Sequence, residues 1–189
     1  MVPDVYRRFD DWELGDDAGK VPPLCPAFFK PGSWIGTDRD GNPNVTAKVS
    51  RKVAEKFRTH MLAKLAEETK KVARSLTLDT VSTPASKQLR NLWNHQVEMS
   101  EVLSARAYQV SASELHHAVL KVMANRLEAT ITRTADLMYA TAEDFIGDLH
   151  IVQESLAQAG AVRAAYGVVQ RLIWQAETFG FSLVQMEFR

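Results

Sequence analysis

GSWIGTDRDGNPNVTAKVSRKVAEKFRTHMLAKL, residues 32–65, sets a bent, charged loop directly against the start of a long helix. Gly32, Gly36 and Gly41 let the backbone turn, while Asp38-Arg39-Asp40 and Asn42-Pro43 crowd charge and turn chemistry into the same few positions. Such a segment bends sharply while holding charged groups in place, which points to a site more than to a plain turn. Thr46 then suits an N-cap, and Val49, Val53, Phe57, Met61 and Leu65 recur every four residues. That spacing predicts one slowly drifting apolar face on a helix reaching about Ser75, a face that must pack on something.

Beyond this segment the chain reads as helix almost throughout. Thr77 to Pro84 is a polar, β-branched connection ended by proline, and a second helix is expected from about Ala85 to Tyr108. Ser111-Ala112-Ser113-Glu114 fits a capping box for a third helix, with Leu115, Val119, Val122, Met123, Leu127 and Ile131 at helical spacing. Thr141-Ala142-Glu143-Asp144 suggests another helix start. Gly160 separates it from a last helix over about Val162 to Thr178. No repeat period is present, so a helical solenoid is not supported.

Two stretches read as extended: one around Ser33 to Ile35, and Leu183 to Arg189 after Gly180. Two isolated short strands cannot make an independently stable sheet, and the second runs to the last residue, so a piece of a longer protein is expected. In that strand Gln185, Glu187 and Arg189 share one face and Val184, Met186 and Phe188 the other. Arg189 stands where an α/β barrel places polar groups, at the C-terminal end of a strand. Its planar guanidinium suits a phosphate or carboxylate ligand, although a surface arginine satisfies the same sequence.

Acidic and basic residues balance at 23 each, so no long-range field argues for nucleic acid or an anionic membrane. Cys25 is the lone cysteine and cannot form an internal disulfide. No apolar run approaches membrane-spanning length, and MVPDVYRRFDDW has no signal-like apolar stretch. A cytoplasmic location is the expectation, and the 189 residues form a single unit without separate domains.

The chemistry-bearing residues are few. His116 and His117 are adjacent, so on a helix they point about 100° apart and cannot share a metal as an i, i+4 pair can. His60, His95 and His150 fall within helical patterns and read as surface or partly buried. No phosphate loop, H-E-x-x-H or G-x-S-x-G element occurs, and no metal site is expected within the chain. Asp38, Asp40, Asn42 and Asn44 alternate like the first half of an EF-hand loop. Glycine, however, falls at the fourth position instead of the sixth, and Val49 stands where a bidentate Glu is needed. A scaffold reading fits Asp38 and Asp40 better, their carboxylates accepting bonds from backbone N–H groups and from Arg39. Arg39 can instead point towards an anionic ligand, and the residues do not decide which.

Residues 32–46 resemble the G-x-W-x-G-G-D-R-D-G-N-P signature of phosphoenolpyruvate carboxylases, and FGFSLVQMEFR, residues 179–189, resembles that family's F-G-x-x-L-V-x-x-D-I-R strand. The resemblance implies a mostly α fold with two short β-strands, part of the α/β barrel of a larger helix-rich enzyme. It implies carboxylation of phosphoenolpyruvate by bicarbonate to oxaloacetate and phosphate, through carboxyphosphate and an enolate, with Mg²⁺ or Mn²⁺ in a cytoplasmic homotetramer. Arg189 would then hold the phosphate of phosphoenolpyruvate as a catalytic and substrate-binding residue. Trp34, by its type more often a core residue, would line a hydrophobic pocket near the reacting carbon. Gly36, Asp38, Arg39, Asp40, Gly41 and Asn42 would form the loop scaffold beside it. The family's essential histidine element, metal carboxylates and glycine-rich loop have no counterpart here, so these residues alone are expected to be inactive. The other reading is a noncatalytic helical interaction module. Two departures stand out: Thr37 where the family usually has glycine, a position a β-branched residue tolerates poorly if φ is positive, and Glu187 where aspartate is more common.

Overall fold

The computed structural model describes residues 2–40, 42–76, 81–99 and 114–187. Six α-helices run through them: α1 Val2–Leu14, α2 Ala47–Ser75, α3 Lys87–Met99, α4 Leu115–Thr132, α5 Ala142–Gln158 and α6 Gln170–Phe179. Two short strands, β1 Gly32–Ser33 and β2 Gln185–Met186, pair in parallel with Gly32 opposite Gln185 and Ser33 opposite Met186. The mostly helical expectation holds, and with two strands the described residues do not themselves make a barrel. No described helix is long and apolar enough to cross a membrane.

The long α2 lies chiefly along α4, and its burial follows the drift expected of a four-residue repeat. Met61 and Leu65 are buried, Val53 and Phe57 half-buried, and Val49 exposed. Its N-cap is Thr46, whose hydroxyl accepts from the Val49 N–H at 3.4 Å. On α4, Val119, Val122, Met123 and Leu127 join a core completed by Leu149 and Val152 of α5 and by Leu172 and Ile173 of α6. Thr141 and Asp144 close a full capping box at the head of α5. Between α5 and α6 the helix widens into a π segment, Ala164–Val169. There the buried Gln153 donates to the Ala165 carbonyl at 3.1 Å and the Arg7 guanidinium bonds the Tyr166 carbonyl.

Five elements differ from the sequence-based expectation. Helix α1 was not expected. Its buried face consists of Tyr6 and Asp10, and a buried aspartate hides the apolar signal. Asp10 Oδ1 accepts from the Leu24 and Cys25 N–H groups, each at 3.0 Å, so burial leaves that oxygen satisfied. Helix α3 begins at Lys87, after Ser86 accepts from the Leu89 N–H at 3.1 Å, and is described to Met99. Residues 100–113, including Ser111 to Ser113 of the expected capping box, lie outside the described residues. Glu114 occupies the N-cap of α4 itself, with φ −125° and ψ 71° and no side-chain capping bond, rather than the third helical position of a box. Both strands are shorter than expected. Trp34 begins a turn that ends β1, and the Val184 carbonyl before β2 accepts from the Ser182 hydroxyl at 2.9 Å.

His116 and His117 are buried and face different partners, as the angle between adjacent helical positions dictates. His116 Nε2 meets Ser155 Oγ on α5 at 2.9 Å, and His117 Nδ1 meets the Ala73 carbonyl on α2 at 2.7 Å. His60 and His95 are exposed and His150 half-buried.

Candidate functional site

The parallel pairing of β1 with β2 brings the two ends of the sequence signal together. Gln185 N–H donates to the Pro31 carbonyl at 2.8 Å and Glu187 N–H to the Ser33 carbonyl at 3.0 Å. The loop that leaves β1 therefore starts beside the end of β2, although more than a hundred residues separate them in sequence.

The loop is built from its own short-range bonds. The Trp34 carbonyl accepts from the Thr37 N–H at 3.0 Å and the Asp38 N–H at 3.1 Å, which curls the chain around Gly36. Gly36 has φ +78°, a left-handed conformation that favours glycine, and a Cβ there would lie 2.7 Å from Val53 Cγ2. Its carbonyl accepts from the Ser50 hydroxyl at 2.6 Å, which ties the turn to the first turn of α2. Asp38 Oδ1 accepts from the Asp40 N–H at 3.3 Å and Asn42 Oδ1 from the Asn44 N–H at 3.0 Å, two Asx turns in succession. The Arg39 carbonyl accepts from the Asn42 N–H at 3.3 Å. Asp38, Arg39 and Asp40 are exposed, and among the described residues no ion pair engages the Arg39 guanidinium.

Trp34 is 51% exposed and stands outside the core, contrary to what its size suggests. The turn begins at its own backbone carbonyl. Gly41 and Arg189 lie outside the described residues. Gly36, Asp38, Arg39, Asp40 and Asn42 are thus on one loop with Trp34, and β2 pairs with the strand that this loop leaves.

Three residues of this region carry more than their sequence suggested. Thr37 is fully buried, and its hydroxyl donates to the Glu187 carbonyl across 150 positions of sequence. Its φ is not positive, so the glycine that the turn needs is Gly36 and the β-branched side chain is accommodated. The Glu187 carboxylate lies against Gly32, where a Cβ would run into it. Ser50 is buried, and nothing in the sequence singled it out as part of the loop's anchor. No signal in the sequence paired Thr37 with Glu187, because both were read as isolated departures.

The described residues contain no group of three or more His, Cys, Asp or Glu that could hold a metal ion. Among the described residues Asp38 and Asp40 thus have no third such ligand beside them. A groove of about 570 Å³ between α2 and α6 has an apolar floor including Met61, Val72, Leu172 and Phe179, and none of its lining residues belongs to the loop. The cations on its rim are already matched within the chain: Lys64 pairs with Glu68 at 2.9 Å, Lys71 with Glu67 at 2.9 Å, and Arg171 with Asp4.

The sequence model of the phosphoenolpyruvate carboxylase family matches residues 1–189. The phosphoenolpyruvate carboxylase of Methylorubrum extorquens is 31% identical over 179 residues, covering 92% of this chain and 19% of that protein. Those of Xanthomonas oryzae pv. oryzae, 26% identical over 189 residues, and Nitrosomonas eutropha, 29% identical over 204, each match 100% of this chain, which covers 21% and 20% of them. The chain thus spans about a fifth of the length of these curated relatives. With a match over its whole length and the signature loop joined to the closing strand, this chain belongs to the phosphoenolpyruvate carboxylase family.

Proposed function

We propose that this chain supplies the Trp34 loop and the Arg189 strand to a phosphoenolpyruvate carboxylase, which carboxylates phosphoenolpyruvate with bicarbonate to give oxaloacetate and phosphate. The observation that carries the reading is the parallel pairing of β1 with β2, which sets the signature loop beside the strand leading to Arg189. In this reading Arg189 binds the phosphate of phosphoenolpyruvate, its fixed fork of donors matching the phosphate oxygens. In the same reading the indole of Trp34, half-exposed in this chain, lines an apolar pocket that keeps water from protonating the nucleophilic carbon before it meets carbon dioxide. In this reading Asp38 and Asn42, through their Asx turns, and Asp40, whose N–H closes the first of them, shape the loop instead of reacting.

Among the described residues no cluster of three His, Cys, Asp or Glu forms a metal centre, and in this reading the divalent metal, Mg²⁺ or Mn²⁺, is held by other parts of the enzyme and the 189 residues alone are inactive. The barrel, the homotetramer and the cytoplasmic location implied by the family belong to the same reading. The test is oxaloacetate formation from phosphoenolpyruvate and bicarbonate with Mg²⁺, followed by coupled reduction of the product. The 189-residue chain gives none. The natively produced protein that contains it is active, and Arg189→Gln lowers kcat/KM for phosphoenolpyruvate by about a hundredfold or more. Full activity in the Gln variant would exclude Arg189 as the phosphate ligand. A native protein that makes no oxaloacetate would favour the helical interaction module.

A further inference from the structure

We propose that Thr37 is a positioning residue for the phosphoenolpyruvate site, its hydroxyl clasping the Trp34 turn to the strand end that leads to Arg189. The inference rests on the carboxylase reading above. It starts from a closed ring of hydrogen bonds. Glu187 N–H donates to the Ser33 carbonyl at 3.0 Å, the next residue's carbonyl, on Trp34, accepts from Thr37 N–H at 3.0 Å, and the Thr37 hydroxyl returns to the Glu187 carbonyl.

Each link alone is local or weak. A pairing of two residues per strand holds little by itself. The ring adds a third point of attachment from a side chain that is 0% exposed, so the Thr37 hydroxyl has no water to turn to in place of the Glu187 carbonyl. The turn itself is anchored on α2 by Ser50, so the clasp refers the strand end to a rigid helix. Arg189 follows Glu187 by two residues, and Trp34 precedes Thr37 by three. The two groups assigned to substrate are therefore joined through Thr37 over a path of a few residues. A small displacement of either end would loosen the hold on phosphoenolpyruvate.

The test compares Thr37→Val, which keeps shape and removes the hydroxyl, with Thr37→Ser, which keeps the hydroxyl, both in the natively produced protein. In Thr37→Val the Gln185 and Glu187 amides exchange with deuterium faster while those of α2 and α4 do not. The KM for phosphoenolpyruvate rises roughly fivefold, the worth of one hydrogen bond. The kcat at saturation and the KM for bicarbonate stay within about twofold of wild type. Thr37→Ser restores both readouts. An unchanged KM for phosphoenolpyruvate in Thr37→Val, or a raised one in Thr37→Ser, overturns the inference. So does loss of protection throughout α2 and α4 in Thr37→Val, which would make Thr37 a folding residue. Failure of the carboxylase reading itself is distinguishable, because it shows as missing activity in the wild type.

Discussion

His116 Nε2 lies 2.9 Å from Ser155 Oγ in the interior, where that same hydroxyl oxygen accepts from the Ser86 N–H at 2.9 Å. One imidazole thus fastens α4 to α5 beside the head of α3. No exposed surface remains on His116, and burial pushes its pKa down from 6.5 to about 4. The folded state therefore keeps the ring neutral at a pH where the unfolded chain protonates it. Between pH 6.5 and about 4 the unfolded state binds the extra proton, so stability falls as the pH is lowered through that window. The slope from one such group is about 1.4 kcal/mol per pH unit. Urea denaturation at pH 7, 6 and 5 should show it, and His116→Gln, which can keep a bond to Ser155 without titrating, should have a flatter profile. Parallel profiles would exclude His116 as the acid-sensitive group.

A second buried cluster makes an unequal pair of substitutions. Asp148 Oδ2 receives the Tyr139 hydroxyl at 2.8 Å and Arg126 Nη1 at 3.0 Å, and the guanidinium stacks 3.7 Å from the centre of the Tyr139 ring. Burial raises the Asp148 pKa, opposed by the Tyr139 hydrogen bond and the Arg126 charge. Asp148→Ala leaves the Arg126 charge buried without its carboxylate and should cost about 3–5 kcal/mol. Tyr139→Phe removes one bond, leaves the ion pair and should cost about 1 kcal/mol. Chemical denaturation of both variants measures the difference, and equal losses would mean that the hydroxyl, not the ion pair, organises the cluster.

What the sequence made legible was local. Thr46 and the Thr141/Asp144 box act on backbone groups within three residues, so residue type and spacing suffice to place the starts of α2 and α5. Helix α1 was opaque because its reasons are distant: the Tyr6 hydroxyl meets Thr178 Oγ1 at 2.9 Å across 172 positions, and Tyr6 packs 5.7 Å from the Trp174 ring. The candidate site divides the same way. Its loop residues announced themselves through glycine, Asx and proline chemistry. The exposure of Trp34 and the clasp between Thr37 and Glu187 depend on tertiary placement that no local pattern encodes.

Gly36 and Val53 offer a test of how tightly the loop is seated on α2. Alanine at Gly36 would meet two costs at once. The backbone there has φ +78°, which costs an L-residue about 1 kcal/mol, and the new Cβ would sit 2.7 Å from Val53 Cγ2 and 3.1 Å from Val53 Cβ. A branched side chain at its Cβ cannot swing clear as a long flexible one does, so the clash adds about 1–3 kcal/mol of overpacking. Gly36→Ala should therefore destabilise by about 2–4 kcal/mol. Val53→Ala removes the atoms that collide, so in the double variant only the backbone cost and the lost valine packing remain. The double-mutant cycle should show a coupling of about 1–2 kcal/mol in favour of the double variant. Additive losses by urea denaturation would mean that α2 shifts away from the loop freely, and that the Ser50 bond to the Gly36 carbonyl does not hold the two in register.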